Sequence, residues 1–207
     1  MADPVDEYYC HQLPQSVRRV GTSDRRAFER DWVAMYALDG QIRIHQGIAI
    51  YPNANVMDGY AIVLHKGRQH NLRVSQELTG KDRHPLQLGP LRSEVIQGGK
   101  VWRYSLSDND FGIKYDIVWE GRYPILDNPY GAYWVGDRLI GDWWTYHQVG
   151  ARCHGQLTVD GETYEGEEKL AKLEIDRTLA ESKEILRQCK GPIPIGLAKG
   201  SSRAQIK

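Results

Sequence analysis

The residues with the clearest chemical potential lie in GDWWTYHQVG, residues 141–150, where Trp143, Trp144 and Tyr146 stand beside His147. An imidazole among such rings could act as a general acid or base on an apolar substrate, because its environment tunes its pKa. The same rings could instead line a ligand pocket or fill a core. We therefore interpret His147 as a candidate catalytic residue and the three rings as candidate substrate contacts, with packing as the alternative.

Three further side chains could donate or accept a proton. His45 lies in the strand pattern QIRIHQGIAIY, where alternation places it on a polar face with Arg43. Asp116 and Glu120 alternate in FGIKYDIVWEG on the face opposite its apolar residues. If these faces line a lumen, a carboxylate with a raised pKa could serve as a general acid. In an open sheet the same faces would be solvated, and both alternatives stay open.

Aromatic residues supply further candidate ligand contacts. The chain has 12 tyrosines and 6 tryptophans against 2 phenylalanines, an excess of rings that combine an apolar face with a polar group. Tyr115 and Trp119 share an alternating apolar face with Phe111, so we predict that they form a core or a pocket wall. Trp134 is another candidate contact, within a long loop expected over residues 122–142.

Composition and charge argue against several functional classes. Lys+Arg 27 balances Asp+Glu 27, so no nucleic-acid partner is expected. No apolar run reaches the ~20 residues of a membrane-spanning helix. The three cysteines are odd in number and widely spaced, which is typical of a reducing compartment and predicts a cytoplasmic protein. No CxxC or HExxH spacing appears, and we predict neither a metal site nor a cofactor.

Short strands between turn signals must position these residues. Strand-like segments at this spacing predict an antiparallel barrel or sandwich, and a barrel of about eight strands can hold one small ligand. We expect a β-barrel domain over residues 22–165, opened by a short helix near residues 24–30. The turn signals between strands are Asp39-Gly40, Lys66-Gly67, Gly98-Gly99 and Asp160-Gly161.

The strand-like sequence pattern ends on either side of this domain. EEKLAKLEIDRTLAESKEILRQCKG predicts a long amphipathic helix within residues 166–191, with an apolar stripe of Ile175, Leu179 and Leu186. Residues 1–21 are expected to form an N-terminal arm and residues 192–207 a flexible tail. Because the apolar stripe needs cover, a homodimer is one expectation.

The segment DWVAMYALDGQIRIHQGIAIYPNANVMDGYAIVLHKGRQHNL combines a Trp-containing strand, an Asp-Gly turn and a Tyr-Pro-Asn break. It resembles the opening of the lipocalin-like barrel family that includes carotenoid hydratases (hydroxyneurosporene synthase) and related Diels–Alderases. LGPLR, WRYSLSDNDFGIKYDIVWEG and WWTYHQVGARCHGQLTVDGETYEG follow in a similar order, so the resemblance covers about residues 31–165.

The resemblance implies a lipocalin-like barrel and acid-catalysed hydration, isomerisation or cyclisation of an apolar unsaturated substrate. Members of that family usually carry two barrels in tandem, and this chain resembles the first. The second-barrel pattern Arg-Asp-x-Ser-Trp-Gly is not found, so no catalytic residue is carried over from it. Pairing of two single barrels in a homodimer would be a substitute.

Three functional hypotheses follow. The first is a small hydratase-like lyase or isomerase acting on an apolar unsaturated, terpenoid-like or aromatic substrate in a barrel pocket. The second is a carrier that binds such a small hydrophobic molecule without chemistry. The third is an interaction protein that uses its C-terminal helix. An acidic side chain in an enclosed cavity would favour the enzyme. A cavity with only apolar walls would favour the carrier, and a barrel filled by its own side chains would favour the interaction protein.

Overall fold

Two antiparallel sheets account for most of the protein. The structure is a computed structural model that describes residues 22–37, 39–78, 85–143, 145–148 and 150–166, together with Pro4. These residues all belong to the first of the two compact units of the chain, Met1–Leu173. The predicted arm, the predicted C-terminal helix beyond Gly166 and the predicted tail lie outside the described residues.

The first sheet, sheet A, is a four-stranded meander in which each strand pairs with the next. One face of the sheet is buried and mainly apolar, and most side chains of the other face are half-buried or exposed, as in a sheet with one covered face. The turn at Lys66-Gly67 has positive φ at both positions, the geometry that tight hairpins require. The strands are β1 Glu29–Tyr36, β2 Ile42–Tyr51, β3 Val56–His65 and β4 Arg68–Glu77.

The second sheet, sheet B, has six strands in the order β14-β13-β8-β7-β6-β5. Its final hairpin turns at Asp160-Gly161, again with positive φ at both residues, as the sequence predicted. The strands are β5 Leu86–Leu88, β6 Leu91–Gln97, β7 Val101–Leu106, β8 Ile113–Gly121, β13 Ala151–Val159 and β14 Glu162–Gly166.

A chain excursion separates β8 from β13. The two ends of this excursion lie side by side at the edge of the β8–β13 pairing, where the amide of Arg122 donates to the carbonyl of Gly150 at 2.9 Å. Four short strands lie within it and pair only with one another, β9 with β12 and β10 with β11. They are β9 Leu126–Asp127, β10 Gly131–Val135, β11 Arg138–Trp143 and β12 Tyr146–His147.

Sheets A and B enclose one continuous apolar core. In β8 the predicted alternation is confirmed, with Tyr115 and Trp119 buried, whereas Phe111 is 56% exposed in the preceding turn. In β2 the face opposite His45 and Arg43 is buried, and Ile44 and Gln46 on it are both fully buried. Burial of this apolar surface is the main stabilising contribution to the fold.

A buried polar network joins the two sheets through this core. The Tyr115 hydroxyl donates to Gln46 Oε1 at 2.6 Å, and Gln46 Nε2 donates to Ser93 Oγ at 3.0 Å. Ser93 Oγ donates in turn to Asp31 Oδ2 at 2.8 Å, and the amide of Ile48 donates to Asp31 Oδ1 at 3.2 Å. Burial raises the pKa of Tyr115 well above its usual value, so the phenol stays a donor. Since buried polar groups cost free energy when unpaired, the network fixes how the sheets face each other.

The expected closed barrel is not what the described strands form. Sheet A has β1 and β4 at its edges and sheet B has β14 and β5, without a ladder that joins the two sheets within the described residues. Turn signals fix which strands are neighbours along the chain, but closure depends on pairing between distant strands, which turns do not encode. The mainly β, antiparallel part of the prediction is confirmed.

Two local predictions are also corrected. The short helix expected near residues 24–30 is a single turn at Asp24–Ala27, followed directly by β1 from Glu29. Asp24 Oδ1 accepts from the amide of Arg26 at 2.9 Å, which favours a turn over a helix. The long loop expected over residues 122–142 contains the hairpin β10–β11. Across the described parts of the chain, no helix has the length and apolarity to span a membrane.

Candidate functional site

The hairpin β10–β11, called here the aromatic hairpin, and the residues just before it carry many exposed apolar side chains. Of the 12 large apolar side chains that are exposed among the described residues, eight fall within residues 123–143. Large exposed apolar surfaces on monomers usually mark interaction sites. The eight are Tyr123, Leu126, Tyr130, Tyr133, Trp134, Val135, Leu139 and Trp143.

On one face of the aromatic hairpin two rings pack against each other and form a surface called here the ring shelf. Trp143 pairs across the strands with Gly131, and a Cβ atom on Gly131 would overlap the indole ring. The indole therefore lies across the partner strand instead of projecting from it. Tyr133 packs against it with ring centroids 4.9 Å apart and an interplanar angle of 41°. Trp143 is 43% exposed and Tyr133 67%, so both rings remain open to a ligand.

The opposite face of the aromatic hairpin is also apolar. The register shifts between Tyr133 and Trp134, after which Trp134 pairs with Leu139. Adjacent strand residues point to opposite faces, so Trp134 lies on the other side from Tyr133. Both faces therefore carry an exposed indole, which a structure stabilised by its own packing does not require.

Polar contacts hold the aromatic hairpin in place. The Tyr130 hydroxyl donates to Asp142 Oδ2 at 2.7 Å, and this bond is the main reason that the pKa of Tyr130 is raised. Arg26 Nη2 donates to the carbonyl of Ile140 at 2.9 Å, beside the register shift. Asp24 pairs with the same guanidinium at 2.8 Å, and that bond lowers the pKa of Asp24 to about 2. The turn before β1 thus anchors the hairpin.

Two side chains of the stretch 141–150 that first suggested chemistry, Trp143 and His147, lie on different strands. Trp143 ends β11, and the exposed His147 lies in β12, where it pairs with Leu126 of β9. Trp144 and the side chain of Tyr146 lie outside the described residues. An exposed imidazole on a two-residue strand has access to solvent and to any ligand on the excursion.

His45, the second candidate base, lies on the outward face of sheet A. Its ring is half-buried, with the rings of Trp32 and Tyr36 edge-on at 5.7 and 5.9 Å. Its Nε2 atom is 3.5 Å from the Tyr36 hydroxyl. Burial and then the nearby Arg43 lower the pKa of His45, so its neutral form is favoured.

Asp116 and Glu120, the candidate acids, lie on the solvated face of sheet B. Arg103 holds Asp116 through two hydrogen bonds of 2.7 and 2.5 Å, which lower the pKa of its carboxyl. Glu120 lies 3.9 Å from Lys100 and its side chain is 44% exposed. Both carboxylates have the surroundings of surface ion pairs and not of an enclosed apolar pocket.

Tyr115 and Trp119 lie within the packed core. Tyr115 is part of the buried polar network, and Trp119 pairs across the strands with Trp102 on one side and Cys153 on the other. All of these side chains are 8% exposed or less. Their contribution is to the core, one of the two alternatives that their alternation predicted.

A cluster of titratable groups that the sequence did not indicate links the two sheets at the ends of two hairpins. This inter-sheet clasp centres on His65, which is 2% exposed. His65 Nδ1 lies 2.9 Å from Asp160 Oδ2, and its Nε2 lies 2.8 Å from the Tyr164 hydroxyl. His70 Nε2 is 3.1 Å from the same Asp160 oxygen. His65 and Asp160 are 95 positions apart, and only their places beside turns could have suggested proximity.

Two further charges complete the inter-sheet clasp. Lys66 Nζ lies 2.7 Å from both carboxylate oxygens of Glu162, and the Tyr164 hydroxyl donates to Glu162 at 2.7 Å. The carboxylate–imidazole–hydroxyl order resembles a proton relay. However, both ring nitrogens of His65 are occupied and the ring is buried, so a substrate has no position beside it. The clasp therefore joins sheets and leaves the aromatic hairpin as the candidate site.

Comparison with known proteins identifies the family of this chain, and the activity of that family is unknown. A model of a family of unknown function, DUF8625, matches residues 2–179 of this chain of 207 residues. The chain belongs to the DUF8625 family. No curated protein and no solved structure matches it significantly.

In this DUF8625 domain, the excursion that carries the aromatic hairpin lies inside the matched span. Another concave feature is an open groove of about 490 Å³ between β4 and the turns at Gly89-Pro90 and Ser107–Phe111. No group of three or more His, Cys, Asp or Glu side chains that could hold a metal ion occurs in the described portion.

Proposed function

We propose that this DUF8625 domain binds an apolar ligand that is unsaturated or aromatic, across the shelf of Trp143 and Tyr133. The observation that carries the proposal is the placement of the indole over Gly131, which spreads a flat ring on the surface. Aromatic pairs bind flat apolar groups through stacking and through removal of apolar surface from water.

The packing of the interior supports a surface site over a lumen. The buried apolar inward-facing side chains of the two sheets, including Tyr115, Ile117 and Leu157, are at most 8% exposed and form one apolar cluster. To enclose a ligand of terpenoid size, the space between the sheets would have to contain a cavity of a few hundred Å³. Binding on the aromatic hairpin avoids the cost of opening such a core.

Acid-catalysed chemistry on the bound ligand, as the family resemblance implies, stays a prediction. His147 is the candidate acid because it is exposed and belongs to the same excursion as the ring shelf. If the domain is a hydratase-like lyase or isomerase, His147→Ala should abolish turnover of an apolar polyene and leave its binding unchanged. Equal turnover by the variant would reject this role.

Binding can be measured with the uncharged fluorescent probe N-phenyl-1-naphthylamine. Trp143→Ala should weaken binding roughly tenfold, because one stacking ring and its apolar area are removed. Trp32→Ala provides a matched control, since Trp32 is 48% exposed but lies on sheet A. If the two variants bind the probe as tightly as the parent protein, or lose affinity equally, the ring shelf is not the site.

A second copy of the chain is the alternative occupant of the apolar surface, and a homodimer stays a prediction. Light scattering at several protein concentrations separates the two cases. A mass that doubles with concentration, and returns to the monomer value in Trp134→Ala, would favour self-association through the hairpin. A constant monomer mass with retained probe binding would favour the ligand.

A further inference from the structure

Strand β4 forms one edge of sheet A and has the features of an edge that can pair with another strand. Its 10 residues pair with β3 without a register shift, and they include neither Pro nor Gly. Within the described residues, no strand pairs with its other side. Short length, Pro and β-bulges are common protections of an edge strand against pairing, and β4 has none of them.

The hairpin of β3 and β4 fixes which main-chain groups of β4 face outward. At its open end the Leu78 amide donates to the Asn55 carbonyl at 3.0 Å. Hydrogen-bonded and non-hydrogen-bonded pairs alternate along an antiparallel ladder, so the even-numbered residues of β4 direct their amides and carbonyls toward β3. The odd-numbered residues direct theirs toward the open edge, and their side chains are all exposed.

Open space lies beside the middle of this edge. The groove of about 490 Å³ is lined on one side by Leu72, Arg73 and Val74 of β4 and on the other by the turns of sheet B. On that far wall the Phe111 ring is 56% exposed. The described turns of sheet B therefore leave this part of β4 accessible.

A second copy of β4 has charges that match this edge. In an antiparallel register centred at Ser75, Arg73 of each copy lies opposite Glu77 of the other, and opposite charges across a ladder stabilise pairing. These two pairs and the central Ser75 pair would form about six main-chain hydrogen bonds. A register centred at Arg73 would instead oppose two guanidinium groups. Registers centred at Leu72 or Val74 would leave the guanidinium opposite an uncharged side chain.

A further acid on the same face is compatible with this register. Asp58 of β3 pairs with Ser75, so the two copies of Asp58 would lie three strand spacings apart. At about 4.8 Å for each spacing, they would be separated by roughly 14 Å. This distance exceeds the Debye length of ~8 Å at physiological ionic strength, so their repulsion is largely screened. Glu77 accepts from the Asn55 amide through one oxygen, and its other oxygen is available to a guanidinium.

We propose that two copies of this domain associate through their β4 edges, so that the four strands of each sheet A join into one continuous antiparallel sheet with two reciprocal Arg73–Glu77 pairs. Two strand edges bury less than about 1,200 Å², so we expect a reversible dimer with a dissociation constant in the micromolar range or weaker. This inference does not rest on the apolar-ligand proposal, because β4 and the aromatic hairpin share no residue.

The first test is sedimentation equilibrium of the full chain at micromolar to submillimolar concentrations, where the parent mass should rise from monomer to dimer. Arg73→Glu and Glu77→Arg each place like charges opposite each other twice, and each should weaken the dimer roughly tenfold. An equimolar mixture of the two variants should recover the dimer, because each chain then meets two opposite charges. Arg152→Glu reverses an exposed arginine of sheet B and is the matched control.

The second test concerns the main chain of the edge. The Ser75 amide faces away from β3, so Ser75→Pro should be tolerated in the monomer and should abolish the dimer. Ser75→Ala keeps the amide and should associate like the parent protein. A dimer that the folded Ser75→Pro variant retains would overturn the proposal.

Three further outcomes would also overturn the β4 dimer. They are a parent protein that stays monomeric throughout, a mixture of the two charge variants that does not associate, and a dimer that Trp134→Ala disrupts while both charge variants retain it. The last result would place the contact at the aromatic hairpin. Binding of the naphthylamine probe should be unchanged in Ser75→Pro, which separates this proposal from that of the ring shelf.

Discussion

The interior between the two sheets and the aromatic hairpin use the same residue types to opposite effect. In the interior, Tyr115 and Trp119 are at most 8% exposed, and the Tyr115 hydroxyl has a buried partner. In the aromatic hairpin, Tyr133 and Trp143 are 67% and 43% exposed. The difference shows that the aromatic excess of this chain serves two purposes, a packed core and an open surface, which composition alone does not separate.

The largest expected effect contrasts a core residue with a hairpin residue of similar size. Ile117→Ala should lower the free energy of unfolding by roughly 3 kcal/mol, because Ile117 is fully buried and its truncation leaves a cavity. Leu139→Ala should cost less than about 0.5–1 kcal/mol, since Leu139 is 42% exposed. Urea unfolding measures both, and equal losses would mean that the hairpin is part of the folding core.

The buried polar network should have the next largest effect. Tyr115→Phe removes the donor to Gln46 Oε1 and leaves that acceptor unpaired in the core. We expect a loss of about 1–2 kcal/mol in the free energy of unfolding. Thr158→Val, which removes an exposed hydroxyl from β13, is the matched control and should change it little. A neutral Tyr115→Phe would mean that the network does not hold the sheets together.

Two glycines of the hairpin allow a sharper test of the ring shelf. Gly131→Ala should displace the Trp143 indole and weaken binding of the naphthylamine probe roughly tenfold, with little effect on global stability. Gly141→Ala adds the same methyl group where nothing lies within 4 Å, so it should bind normally. If the two alanine variants behave alike, the flat placement of the indole is irrelevant to binding.

The smallest effect concerns pH. The hydrogen bond from His65 and then that from His70 lower the folded pKa of Asp160 below its usual 3.8. Its contribution to stability is therefore present above about pH 4 and disappears as pH falls through the lowered folded value. Asp160→Asn should flatten stability against pH in this acidic window and nowhere else. An unchanged profile would show that the inter-sheet clasp is not sensitive to acid.

The sequence predicted the parts of this structure that depend on local chemistry. Alternation separated His45 and Arg43 from the opposite face of β2, and the Asp-Gly and Lys-Gly pairs marked tight hairpins. The short helix expected near residues 24–30 is a turn, since an Asp side chain such as that of Asp24 can cap a helix or close a turn. His65 and Asp160 could not be matched from sequence, because their contact depends on how two distant hairpins meet. The ring shelf was unpredictable for the same reason, since Trp143 reaches Gly131 only through the register of a hairpin.

The single point at which the excursion leaves and rejoins sheet B has a consequence for protein design. Because Arg122 and Gly150 are already hydrogen-bonded, β8 and β13 pair across a fixed base whatever lies between them. Doubling the length of a flexible connection costs only about 0.6 kcal/mol in closure entropy. Residues 123–149 can therefore be replaced by a segment of another length or sequence at a small cost in the free energy of unfolding. Another loop grafted onto this base should leave the pairing of β8 with β13 intact.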